Sequence, residues 1–248
     1  MAELTVGSYN LHWGTGHRWR GYQPFDVVAA CRTIDTDVLV LPESWAPDEG
    51  EALHDQVAQE LGYSVRFQPL ARAVYLPKPH VVARADADLA GHTGTGEWGV
   101  AVLSRLPVIR EQRTQLSQLR YDPSNRWLVS VDVDLDGTTF SVTGAHLPHL
   151  EAGSLSRRHE LRAALPSDEV PALVISDMNM WGWCMSIMKP RAWRRVGRGR
   201  TFSAMFPHSR IDHVVVSPMV EVLDLEVLPD LGSDHLPIRG RFRSRCPR

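Results

Sequence analysis

A layered α/β fold is what this 248-residue sequence predicts, on three observations. Short runs rich in Val, Ile, Leu and aromatic residues recur along the chain; some are joined by turn signals, and others by stretches with apolar residues at helical spacing. Strands linked in both ways imply a mixed sheet covered by helices. The length suits one domain or two. No internal repeat or low-complexity tract divides it, so a single domain over 1–248 is expected.

The strand-like runs, in order, are LTVGSYN, DVLVLPES, WGVAVLS, RWLVSVDVDL, TTFSVTGAHL, ALVISDMN, IDHVVVS and HLPIRGRF. Asp136-Gly137 between the fourth and fifth is a two-residue hairpin signal. Residues 25–34, 49–61 and 154–165 carry helical periodicity. The stretch 69–96, rich in Pro, Ala and Gly, predicts a long loop. Arg239, Arg241, Arg243 and Arg245 alternate and share one face of the last strand, as on a charged edge strand.

Composition narrows the class. Hydrophobic residues make up 43% and charged residues 23%, which excludes a disordered chain, a coiled coil and a collagen-like repeat. No apolar stretch approaches the ~18 residues of a membrane span. The strand-like start at Glu3 leaves no room for a leader peptide, so a cytoplasmic location is expected. Cys31, Cys184 and Cys246 are too few for a disulfide framework. The net charge of −2 hides a basic run from Lys189 to Arg200 with six positive charges and no acid, in a loop suited to a polyanion or to solvent. Trp193 among its arginines favours nucleic acid. Nothing argues against a monomer.

Polar residues interrupt the apolar strands at their ends. Asn10, Glu43 and His146 each end one; Asp177 and Asn179 end another; Asp212 opens one, and Asp234-His235 precede the last. Any one alone reads as a turn residue or cap. Together they offer carboxylates, amides and histidines that converge if loops gather at one edge of a sheet. Magnesium, with manganese as the alternative, prefers carboxylate oxygens and retained waters, which suits Glu43 as principal ligand with Asp234 and Asn10 nearby. A carboxylate at Asp212 would orient His235 and favour its imidazolium. Asp177 and Asn179 would hold an attacking water and the anionic oxygens of a substrate, and His146 would donate to developing negative charge. Either His235 or Asp177 is the water's proton acceptor. Trp13, Trp45, Trp98, Trp181 and Trp183 cluster beside these motifs, either closing the core or offering stacking faces. His12 and His149 lie beside the motifs, His213 points to the opposite face from Asp212, and His54, His80, His92 and His159 carry no partner pattern.

The order SYNLH, LPES, WGVAVLSRLPV, GAHL, SDMN, GRTFSAMFPHSRIDHVVVS and GSDHLPI, from residue 8 to residue 238, resembles the endonuclease/exonuclease/phosphatase superfamily. The resemblance implies two mixed β-sheets packed face to face with helices outside, a four-layered sandwich. It implies a metal at Glu43, a His235–Asp212 pair, and Arg126 as a basic phosphate contact. Two departures stand out: Ser176 replaces the glycine of a GDFN-like motif, and the phosphate-contacting tyrosine of many family nucleases has no clear match, leaving Trp98 or Tyr75 as stand-ins. The implied activity is metal-dependent phosphodiester hydrolysis by an activated water, on DNA or RNA. The alternatives are a phosphatase or phosphodiesterase for a small-molecule or lipid phosphate, and a binding module without turnover. No motif residue is replaced in the way the last would require.

Overall fold

The computed structural model describes residues 3–17, 19, 21–75, 94–120, 122, 124–149 and 154–245. Its strands are β1 (Glu3–Ser8), β2 (Val38–Pro47), β3 (Ser64–Tyr75), β4 (Gly94–Ser104), β5 (Val108–Gln115), β6 (Trp127–Leu135), β7 (Thr138–Ala145), β8 (Ala172–Asp177), β9 (Arg194–Val196), β10 (Asp212–Val216), β11 (Val220–Val227) and β12 (Ile238–Ser244). The helices are α1 (Val27–Ile34), α2 (Leu53–Leu61), α3 (Arg158–Ala164) and α4 (Gly182–Met188). Six strands form one sheet in the order β11-β12-β1-β2-β4-β3, and six form a second in the order β5-β6-β7-β8-β10-β9. β1–β2 and β7–β8 are parallel and the other pairs antiparallel, so both sheets are mixed.

The continuous apolar runs are explained by burial on both faces. Along β2, Val38 and Val40 enter the core between the sheets, while Leu39 and Leu41 face α1 and α2 with Ile34 and Val57. Along β8, Leu173 and Ile175 point between the sheets, and Ala172 and Val174 meet Leu161 of α3 and Met185 of α4. Helix, sheet, sheet and helix therefore make four layers. Each fully buried Val, Leu or Phe in them contributes about 1.5–3 kcal/mol.

Several expectations change. The predicted loop over 69–96 contains the end of β3 and the start of β4; residues 76–93, with His80 and His92, lie outside the described residues, as does Cys246. Pro69 pairs with Gly99 in β3, a strand at the sheet edge, next to a bulge that skips Leu70, and an edge strand beside a bulge is where a proline fits. β5 was hidden by its polar sequence, most of it exposed at a sheet edge. β12 is no edge strand: it lies between β1 and β11, and its arginines pair with acids on those neighbours, Arg239 with Glu226 at 2.7 Å and Arg243 with Glu3 and Glu221. The basic run is also not a plain loop. β9 inside it forms the edge of the second sheet, and Trp193 is 1% exposed in the core, its indole N–H donating to Asp168 at 2.8 Å.

Candidate active site

The catalytic-type residues meet because β1, β2, β7, β8 and β10 present them at one end of the sandwich. Asn10 lies two residues past β1, and Asp212 of β10 is directly paired with Asp177 of β8. His146, just past β7, bridges to Asp177 across the parallel pair. Glu43 occupies a β-bulge: Pro42 pairs with Val100 and Ser44 with Gly99, leaving Glu43 unpaired at φ 54°. A bulge re-aims a side chain in this way. His12, Trp13 and Asn179 also have positive φ, a conformation that costs non-glycine residues roughly 1–3 kcal/mol each and collects at functional sites. Gly232, at φ 122°, starts the turn carrying Asp234 and His235; a Cβ there would lie 2.5 Å from Phe25.

The geometry is close and largely buried. The Asn10 amide donates to Glu43 Oε1 at 3.1 Å and to Asp177 Oδ2 at 2.9 Å, while its carbonyl accepts from the His12 backbone N–H at 2.9 Å. His235 Nδ1 sits 2.9 Å from Asp212 Oδ2, and its Nε2 faces Asp177 at 3.7 Å and Asp234 at 3.9 Å. His146 Nε2 accepts from the Asn179 side chain at 2.7 Å and lies 3.4 Å from Glu43 and 3.6 Å from Asp177. Among the described residues, two groups have ligand atoms near enough together to hold one ion: Glu43, His146 and Asp177, and Asp177, Asp212 and His235. Asp234 belongs to neither; it faces His12 at 3.8 Å and His235.

Burial sets the protonation. It raises Glu43, with His12 pulling the other way, and raises Asp177 to about 8, reinforced by the charge of Asp212. Burial also opposes ionisation of Asp212 and His235. Their mutual attraction overcomes it, so Asp212 lies below the usual carboxylate range and His235 well above the usual imidazole range. The pair is carboxylate–imidazolium. Burial holds His146 neutral. Glu43 Oε2 is buried with no hydrogen-bond partner. A buried carboxylate oxygen in that state, beside two further carboxylates, calls for a cation, and a divalent ion fits this donor set.

Other expected residues fall in revealing places. Arg126 grips Asp122 at 2.7 and 3.1 Å, donates to the His146 carbonyl at 3.0 Å and lies over Trp98, so its guanidinium is committed to the protein. Trp98 itself is buried, pairs in register with Trp45 and sets its ring against His146; both close the core. The side chain of Tyr75 lies outside the described residues. Trp181 and Trp183 stand 55% and 57% exposed on α4. Ser176 explains its departure from glycine: its hydroxyl donates to the Ala145 carbonyl and accepts from the Ala145 N–H, joining β7 to β8 just before Asp177.

The sequence reading missed the supports. Tyr9 OH accepts from the Ser233 N–H at 2.9 Å and Ser233 Oγ donates to the Asn10 carbonyl at 2.7 Å, stitching the two halves of the site together. Phe202 packs on His235 with centroids 5.0 Å apart. His54 does have a partner: its Nδ1 lies 3.0 Å from Ser44 Oγ, beside the bulge, and its ring stacks on Phe67. His12 lines the site, and His149 is exposed.

His213, as expected, turns away from the site, with Nε2 2.9 Å from the Met180 carbonyl. Burial lowers its pKa to about 4. Below an unfolded pKa near 6.5 the unfolded chain takes up a proton that the folded chain refuses. Stability is therefore expected to fall between pH 6.5 and 4, by up to about 3 kcal/mol from this residue. Urea unfolding at pH 7 and pH 5 checks it: His213→Gln should show a smaller loss over that interval than the parent chain.

Comparison with known proteins fits this architecture. The sequence matches the model of the Endonuclease/Exonuclease/phosphatase family over residues 7–235. No curated protein matches it. Among solved structures it is similar to an endonuclease/exonuclease/phosphatase from Beutenbergia cavernae DSM 12333, with TM-score 0.75 and 23% identity over 98% of this chain and 72% of that one. It is also similar to the mannosyl-6-phosphatase Bt3783 of Bacteroides thetaiotaomicron VPI-5482, with TM-score 0.67 and 18% identity over 97% of this chain and 99% of that one. The human Nocturnin catalytic domain gives TM-score 0.68 and 14% identity over 98% and 94%. Identities this low establish the fold alone. The family match spans nearly the whole sequence and every motif residue gathered above, and on it the chain is a member of the Endonuclease/Exonuclease/phosphatase family, hydrolases of phosphoester bonds.

Proposed function

We propose that the protein is a magnesium- or manganese-dependent phosphodiesterase acting on nucleic acid. The observation that carries the chemistry is the pair of adjoining groups that share Asp177, Glu43–His146–Asp177 and Asp177–Asp212–His235, with the orphaned buried oxygen of Glu43. Glu43 would be the principal holder of the ion, with Asp234 and Asn10 nearby; bound there, it would supply neutralisation of phosphoryl charge and stabilisation of the leaving oxygen. Asp212 holds His235 Nδ1 and His235 Nε2 faces Asp177, so Asp177, ionised once the cation is bound, would take the proton from the attacking water. His235 then presents Nε2–H toward the phosphoryl oxygens, and the Asn10 and Asn179 amides fix the carboxylate and His146 around them. No covalent enzyme intermediate is needed.

The substrate class rests on what flanks the centre. Exposed Trp181, Trp183 and Phe206 share the surface with exposed Arg195, Arg198 and Arg200, and the Arg195 guanidinium lies against Gly182 between the two tryptophans. Aromatic faces with cations suit single-stranded nucleic acid, each stacked base giving about 1–3 kcal/mol. Arg198→Ala/Arg200→Ala is expected to weaken cleavage of a single-stranded oligonucleotide and flatten its salt dependence by about one to two units of log–log slope. Turnover of small aryl phosphoesters alone, with no salt dependence, would instead mark a small-molecule or lipid phosphate hydrolase.

A further inference from the structure

We infer that His54, on α2, is a positioning residue for the metal centre: by holding the hydroxyl of Ser44 it fixes the bulge that aims Glu43. This rests on the reading of Glu43 as the principal holder of the ion. The bulge needs holding. Glu43 is unpaired at φ 54°, a conformation that persists in a non-glycine residue only where its neighbours over-determine it. Among the described residues its carboxylate accepts one hydrogen bond, from the Asn10 amide to Oε1, and Oε2 accepts none. The ladder resumes at Ser44, opposite Gly99 of β4, which has no side chain to offer. Ser44 is fully buried, and among the described residues the side chain that meets its hydroxyl is that of His54, with Nδ1 3.0 Å from Oγ.

His54 itself is held in place. It lies in the first turn of α2, 4% exposed, with its ring stacked on Phe67 of β3 at 4.1 Å and 19°. The helix and the strand thus fix the ring from two sides. Burial lowers its pKa against the pull of Asp55, so near neutral pH the ring is uncharged and has one proton to place. Nε2 faces the Asp55 carboxylate at 3.9 Å, which favours the proton there and leaves Nδ1 to accept from the Ser44 hydroxyl. The contacts from α2 through His54 and Ser44 therefore carry the position of the helix to the backbone of Glu43. His54 touches neither the ion nor the substrate. Its effect is on where the carboxylate points, and partners that orient a metal-binding side chain are worth about 10–100-fold in metal affinity.

The test titrates Mn2+ into the intact protein by calorimetry, without substrate, and then measures kcat and KM for bis(4-nitrophenyl) phosphate at saturating Mn2+. His54→Phe keeps the stack on Phe67 and loses the acceptor, Ser44→Ala loses the donor, and His54→Asn retains an acceptor near the place of Nδ1. His54→Phe and Ser44→Ala should each weaken Mn2+ binding about tenfold and lower kcat with KM unchanged. The double variant should lose no more than either single one, because both remove the same contact. His54→Asn should recover most of the binding. Thermal midpoints establish which variants are folded; Ser44→Ala, which removes a single oxygen, and His54→Asn decide the matter if His54→Phe does not fold. Unchanged Mn2+ affinity in folded Ser44→Ala, or losses that add in the double variant, would overturn the inference while leaving the metal centre standing. A parent chain that binds no Mn2+ would overturn the metal reading and the inference with it.

Discussion

Glu43→Gln is expected to lower kcat for phosphodiester hydrolysis by about 10³-fold, about 4 kcal/mol, without destabilising the fold. The side chain keeps its volume and its oxygen toward Asn10, but loses the charge on a buried carboxylate oxygen that has no hydrogen-bond partner. Burial already disfavours that charge in the metal-free protein, so the amide should leave the thermal midpoint equal or higher. Titrating magnesium against kcat in both proteins, beside a thermal scan, separates the two effects. A variant within tenfold of the parent would remove Glu43 from the centre.

Asp212→Asn should be costly in both activity and stability. The residue is 2% exposed and pairs with His235 Nδ1 at 2.9 Å from a position directly opposite Asp177. Its loss leaves a buried imidazole without the charge that fixes its tautomer, and breaking one half of a buried pair costs about 3–5 kcal/mol. A fall in kcat of about 10²–10⁴-fold is expected under conditions where urea titration shows the variant still folded. A stability loss with kcat unchanged would make the pair structural only.

The site was more legible than the fold around it. Glu43, Asp177 and Asp212 announce themselves because each is a polar residue inside a largely apolar strand, and Asn10 and His235 because they stand just outside the ends of strands. β3, β5 and β11 lack that contrast: Pro69 interrupts one, exposure makes the second polar, and a bulge between Val222 and Asp224 breaks the alternation of the third. α4 is too short for a periodicity to emerge. Pairings distant in sequence were illegible for a different reason. Nothing in the sequence around Arg126 says that Asp122 and the His146 carbonyl will occupy it, and nothing near Trp193 says that the arginines beside it stay outside while it goes in. The bulge at Glu43 likewise needs β4 as its partner before it exists.

The central claim is that the buried carboxylate–histidine cluster hydrolyses phosphodiesters with a divalent ion. Its most direct test is the rate of bis(4-nitrophenyl) phosphate hydrolysis by the parent chain and Asp177→Ala, each after chelation and after magnesium is restored. The account predicts that chelation abolishes the parent's activity, that magnesium restores it, and that Asp177→Ala with magnesium is at least about 10²-fold slower than the restored parent. Hydrolysis that survives both chelation and the loss of Asp177 would contradict it.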